Sequence, residues 1–150
     1  MVKSGRLRAF LARHKTIAID TSPFIYHLQD HPTYRAATAA IFAAVERGHP
    51  SAVTSTVTML ELLVKPFKER NIELVNTIYA LGSRYPNLLW VEPSLAVTER
   101  AAQLRARYNL RTPDAIQAAT AIVSYATGLI TNDVALARVE DLDVLLLDGA

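Results

Sequence analysis

Thr16-Ile17-Ala18-Ile19-Asp20-Thr21-Ser22-Pro23 is the stretch whose reading decides the fold. Residues 16–20 are short, apolar and β-rich. Ser22 is a good helix N-cap and Pro23 suits a first helical turn, so the run reads as a strand feeding a helix. The same alternation continues along the chain. An alanine-rich helix is expected over 33–47, stopping at Gly48, and the β-branched run 51–57 reads as a strand. A helix over 58–64 breaks at Pro66, and another runs from Lys68 to about Arg84. A strand at 88–91 is closed by Pro93, and a helix spans 95–108. Thr112-Pro113 opens a helix reaching Thr127 before Gly128, with Thr112 as its cap. A strand at 129–131, a helical turn at 134–138 and a strand at 144–147 complete the pattern. Strands joined by helical crossovers imply a parallel sheet covered on both faces, an α/β fold with three α/β/α layers.

A chain of 150 residues that is 51% hydrophobic holds enough apolar material for one core, so a single domain is expected over 16–150, preceded by a basic leader at 1–15. There is no cysteine, which removes disulfides, thiolate nucleophiles and thiolate zinc sites together. No stretch is long and uncharged enough to cross a bilayer, and a cytoplasmic protein without a membrane partner is the simplest expectation. The leader carries Lys3, Arg6, Arg8, Arg13 and Lys15 and no acid, leaving 11 bases against 14 acids in the remainder. Any polyanion must therefore be held by local patches or through bound metal. Leu7, Phe10 and Leu11 follow helical spacing among the leader's bases, which predicts a short amphipathic helix that packs on its own domain or a second subunit.

In parallel α/β sheets, ligands bind at the carboxyl ends of the strands beside the point where strand order reverses, so strand-end acids carry the interest. Asp20 ends the first strand, and Ser22 looks the better cap of the helix that follows. Asp133 follows the strand 129–131, although Asn132 and Asp133 are also ordinary caps for a short helix. Asp114 lies in a helix's first turn, where the helix dipole alone would favour a carboxylate. Glu61, inside Met59-Leu60-Glu61-Leu62-Leu63, either emerges on a narrow polar stripe or points into a site. Glu92 and Asp148 read as loop acids. The four acids occupy corresponding places in successive strand–helix units, which a doubly wound sheet gathers on one edge. Carboxylates brought together repel and raise one another's pKa, and a hard cation such as Mg2+ or Mn2+ relieves that repulsion. Zinc fits poorly, because His14, His27, His31 and His49 show no ligand spacing beside these acids.

These motifs resemble the PIN-domain ribonucleases, most closely the toxin subunits of VapBC-type toxin–antitoxin pairs. Ile17-Ala18-Ile19-Asp20-Thr21-Ser22 is similar to that family's opening strand, with Asp20 as its first metal-site acid and Thr21 or Ser22 as the adjoining hydroxyl. The run 54–62 resembles the second motif, with Glu61 as its acid. Thr112-Pro113-Asp114-Ala115-Ile116-Gln117-Ala118-Ala119-Thr120-Ala121 resembles the third, with Asp114, and Thr131-Asn132-Asp133 the fourth, with Asp133 as acid and Thr131 or Asn132 as polar support. The likeness covers about residues 16–148. It departs where relatives often carry a second acid two positions after the fourth-motif Asp, followed by an aromatic residue. Ala135 and Leu136 stand there, so a second metal position lacks its acid.

The resemblance implies that Asp20, Asp114 and Asp133, with Glu61 direct or through water, hold one or two Mg2+ or Mn2+ ions. They would hydrolyse RNA to products with 5′ phosphate and 3′ hydroxyl ends. It also implies a small antitoxin as partner and a homodimer. Arg100, Arg105, Arg107 and Arg111, just before Asp114, are candidates to hold the RNA backbone, or else form a solvated helix face. The rival classes are an aspartate phosphatase or phosphoacceptor, a PIN nuclease of RNA processing or decay, and a silent RNA- or protein-binding PIN module. The first rival lacks a second Asp two residues on, where Ser22 stands, and has no lysine after Lys68.

Overall fold

The computed structural model describes residues 2–149. Its elements in chain order are α1 (Val2–Arg13), β1 (Thr16–Ile19), α2 (Thr21–Leu28), α3 (Arg35–Glu46), β2 (Ser51–Ser55), α4 (Thr56–Lys68), α5 (Ile72–Arg84), β3 (Leu88–Val91), α6 (Leu95–Tyr108), α7 (Thr112–Val123), β4 (Gly128–Thr131), a 3-10 turn (Val134–Arg138) and β5 (Asp143–Leu146). The five strands form one sheet in the order β3-β2-β1-β4-β5, and every pairing is parallel. Strand order reverses between β1 and β4, whose registers pair Ala18 with Leu129 and Ile19 with Ile130.

Side-chain alternation along the strands divides the interior into two apolar layers. Ile17, Ile19, Ala52 and Ile130 face one way and pack with Leu7 and Phe10 of α1, Phe24 of α2, Ile41, Phe42 and Val45 of α3 and Ile78 of α5. Ala18, Val53 and Leu129 face the other way, against Val97 and Leu104 of α6 and Ala115, Ala118 and Ala119 of α7. The expected α/β/α sandwich is therefore present, with both sheet faces covered. Alanine at four fully or nearly fully buried positions of α7 lets that helix lie close on the sheet. The basic leader forms α1, and Leu7, Phe10 and Leu11 are buried in the first layer.

Several boundaries differ from expectation by a residue or more, and four of the differences have a clear local reason. Pro66 does not end α4, which continues to Lys68. Pro66 and Leu62 are buried one turn apart, and their packing outweighs the single backbone bond that proline removes. The next helix starts at Ile72 rather than Lys68, because Arg70 takes a left-handed conformation and the Asn71 side chain accepts the Leu74 N–H. Strand β2 stops at Ser55, whose hydroxyl caps α4 by accepting the Val57 N–H. Helix α7 ends at Val123 instead of Thr127, since Tyr125 is left-handed at φ 61° and terminates it.

Candidate active site

All four acids lie at the carboxyl edge of the sheet or on the helices that start there. Asp20, not Ser22, is the N-cap of α2, because the chain enters the helix directly from β1. One oxygen of Asp20 accepts the Thr21 N–H at 2.8 Å and the other accepts the Thr131 hydroxyl from the end of β4 at 2.7 Å. The Asp20 backbone N–H also donates to the Ile130 carbonyl at 2.9 Å, fastening it beside the reversal point. Ser22 Oγ is buried without a hydrogen-bond partner. Asp133 caps the 3-10 turn by accepting the Ala135 N–H at 2.9 Å, and its own N–H donates to Thr131 Oγ1 at 3.0 Å. Thr131 thus touches both acids.

Glu61 emerges on an exposed face of α4, where one carboxylate oxygen accepts the Thr21 hydroxyl at 2.8 Å. Asp114 sits in the first turn of α7 and is buried. The cap position of α7 is Arg111 rather than Thr112, and it makes no side-chain capping bond. Its guanidinium instead reaches Asp114, with Nε 3.1 Å from one carboxylate oxygen, and lies 3.5 Å from Asp133 Oδ2 through Nη2.

The electrostatics follow from burial and crowding. Burial raises the Asp20 pKa above its ordinary value; the bonds from Thr131 and Thr21 offset part of that rise, and the charges of Glu61 and Asp133 add to it. Asp114 is pushed up to about 6, first by burial and then by the neighbouring Asp133, against the opposing pull of Arg111. Among the described residues no three acids or histidines converge closely enough to ligate one ion together. The donor set nevertheless fits a hard divalent cation: it is all oxygen and repels itself, and Mg2+ takes only one or two carboxylates while keeping several waters.

The PIN domain family model matches residues 17–142. The chain belongs to the PIN-domain family. No curated protein matches the chain in sequence. Among solved structures, a toxin–antitoxin complex from Klebsiella pneumoniae is 25% identical with a TM-score of 0.66, the match covering 87% of this chain and 97% of that one. VapBC2 from Rickettsia felis, bound to a DNA fragment from its promoter, is 18% identical with a TM-score of 0.70, covering 87% and 98%. DNA-bound VapBC from Salmonella typhimurium is 18% identical with a TM-score of 0.65, covering 88% and 98%. At these identities the last two show the shared fold.

Of the four basic candidates in this PIN domain, only Arg111 stands among the acids. Arg100 pairs with Asp141 at 2.7 Å, Arg107 with Glu140 at 3.0 Å, and Arg105 donates to the Leu110 carbonyl at 2.8 Å. Those three tie α6 to nearby loops, Arg100 and Arg107 through partners that local sequence could not reveal. Asn132 turns away from the acids as well, donating to the Tyr26 and Tyr34 hydroxyls and accepting the Asp148 N–H. Polar support comes in its place from residues the motifs did not single out. Gln117 Nε2 donates to Thr58 Oγ1 at 2.6 Å, Thr58 is 2.8 Å from Thr54 Oγ1, and Thr54 donates to the Ile19 carbonyl at 2.7 Å. Thr21 lies 3.3 Å from the same Thr58 oxygen. The signal was present as spacing: Gln117 is three residues after Asp114 and Thr58 three before Glu61, each on the same helix face as its acid.

Proposed function

We propose that this PIN domain is a divalent-metal-dependent endoribonuclease, the toxin component of a toxin–antitoxin pair. The observation that carries the reading is the junction of β1 and β4, where the Thr131 hydroxyl joins two acids from separate strands at the reversal point of a parallel sheet. Asp20, Asp114 and Asp133 would hold Mg2+ or Mn2+, one or two of them directly and the rest through water, with Glu61 direct or through water. When bound, such an ion supplies Lewis-acid activation of water and offsets charge on the phosphoryl group.

The side chains of this chain prepare that site in identifiable ways. Thr131 and the Thr21 N–H fix both Asp20 oxygens, so Asp20 presents its remaining lone pairs in one orientation. Thr21 orients Glu61 from the side, itself seated on the buried Thr58–Gln117 chain. Helix α7 holds Asp114 at its positive end, which offsets part of the cost of burying its charge. Ionised carboxylates repel a polyanion, so RNA binding at this edge requires the cation as well as basic side chains. The toxin–antitoxin complexes that share the fold support an antitoxin partner, and a homodimer belongs to the same reading.

The test is incubation of the purified chain with defined transfer and ribosomal RNAs in Mg2+, Mn2+ or chelator. Cleavage restricted to the metal-containing reactions, leaving 5′ phosphate ends, is the expected result. Undiminished cleavage in chelator would refute metal dependence.

A further inference from the structure

Arg111 is the only basic side chain among the described residues that bridges two of the four acids. Its contacts are uneven. Nε lies 3.1 Å from Asp114 Oδ2, while Nη2 lies 3.5 Å from both Asp114 Oδ1 and Asp133 Oδ2, the outer limit of a hydrogen bond. The partners differ as sharply in freedom. The Asp114 side chain is 8% exposed and that of Asp133 28%, whereas the Arg111 side chain is 76% exposed. Asp114 is fixed by the first turn of α7 and Asp133 by the cap it makes, so the guanidinium alone can leave without disturbing backbone or core.

We propose that Arg111 is the resident counter-ion of the Asp114–Asp133 pair: it holds the two carboxylates together in the metal-free protein and must leave them when a divalent cation binds. The proposal rests on the reading that these acids take such a cation. A guanidinium and a divalent ion satisfy the same need, since two carboxylates left together without a cation repel. They do so by incompatible geometries. The planar fork takes up oxygen lone pairs from the side, and a small ion demands near-octahedral oxygens at short range. Occupancy by one therefore excludes the other at the shared oxygens. Arg111 sets the cation concentration at which the site fills, and once displaced it stands free at the site's edge.

Binding of Mn2+ is measured by calorimetry and by electron paramagnetic resonance on the parent, Arg111→Ala and Arg111→Lys, with circular dichroism to establish that each is folded. The expected result is tighter Mn2+ binding by Arg111→Ala, by about 1.5- to fivefold, the range for releasing one largely exposed ion pair. Arg111→Lys, which keeps the charge but loses the fork, should fall between the two. The metal-free Tm of Arg111→Ala should be lower than the parent's, and saturating Mn2+ should raise it by a larger increment. Equal or weaker Mn2+ binding by folded Arg111→Ala, with the parent binding normally, overturns the proposal and leaves the nuclease reading standing. Absence of Mn2+ binding in the parent and in Arg111→Ala alike overturns both.

Discussion

Thr131→Val removes a single buried oxygen and tests whether the two strand-end acids are coupled through it. Thr131 is fully buried at the end of β4, and its Oγ1 lies 2.7 Å from Asp20 Oδ2 and 3.0 Å from the Asp133 N–H. Valine has almost the same shape, so packing is kept while both bonds are lost. A hydrogen bond to a charged group contributes about 1.5–3 kcal/mol, and the stranded Asp133 N–H adds to the loss. The expected destabilisation is about 2–4 kcal/mol at pH 7 in chelator, read from urea unfolding. Thr131→Ser, which restores the hydroxyl, should recover most of it. The gap between Thr131→Val and the parent should also narrow as the pH is lowered. Asp20 titrates above its ordinary value, and a protonated Asp20 needs the bond less than a carboxylate does. A loss under about 0.5 kcal/mol at pH 7 would refute the reasoning, because measured bonds to buried charged groups exceed that. Equal destabilisation by serine and valine would refute it too.

Two further predictions concern pH and packing. Asp20 and Asp114 both titrate higher in the folded chain than the unfolded value of 3.8, Asp114 at about 6. These two carboxyls therefore bind more protons in the folded chain and stabilise it as pH falls through about 6, against the opposite contribution of His27, whose folded pKa burial lowers. The Asp114 contribution is isolated by comparison with Asp114→Asn: the parent's metal-free unfolding free energy should rise relative to the variant's from pH 7 to pH 5, and a relative fall would contradict this sign. At the opposite end of β4, a Cβ on Gly128 would stand 2.6 Å from Phe10 Cζ and 3.0 Å from the His14 ring. Gly128→Ala should therefore destabilise the chain by about 1–3 kcal/mol by forcing α1 off the sheet. A thermal midpoint equal to the parent's would show that α1 yields freely.

The alternation of strands and helices was legible because each strand announces itself locally, by β-branched apolar runs such as 16–19 and 51–55 ending at polar caps. The gathering of acids on one edge was legible for a related reason, since a parallel sheet places every strand end on the same side. What stayed hidden depends on contacts distant in sequence. The partners of Arg100 and Arg107 lie more than 30 residues away, at Asp141 and Glu140. Nothing near them distinguishes these two arginines from Arg111, which stays at the site. Asn132 looked like support for Asp133 by adjacency, but tyrosines on α2 and before α3 capture its amide. Pro66 read as a break because the rule is local, and the burial that overrides it is not. Asp20 and Arg111 proved to be the caps of their helices where Ser22 and Thr112 looked better, each one set by where the strand or loop delivers the chain.

The claim that these acids serve chemistry rather than the fold is tested most directly by Asp114→Asn, assayed for RNA cleavage in Mg2+ and for unfolding in urea. Asparagine fits a helix's first turn and removes a buried charge crowded by Asp133. The variant should therefore be at least as stable as the parent at pH 7, while cleavage falls by at least about a hundredfold. Cleavage at the parent's rate by a folded Asp114→Asn protein, purified free of other nucleases, would contradict the claim.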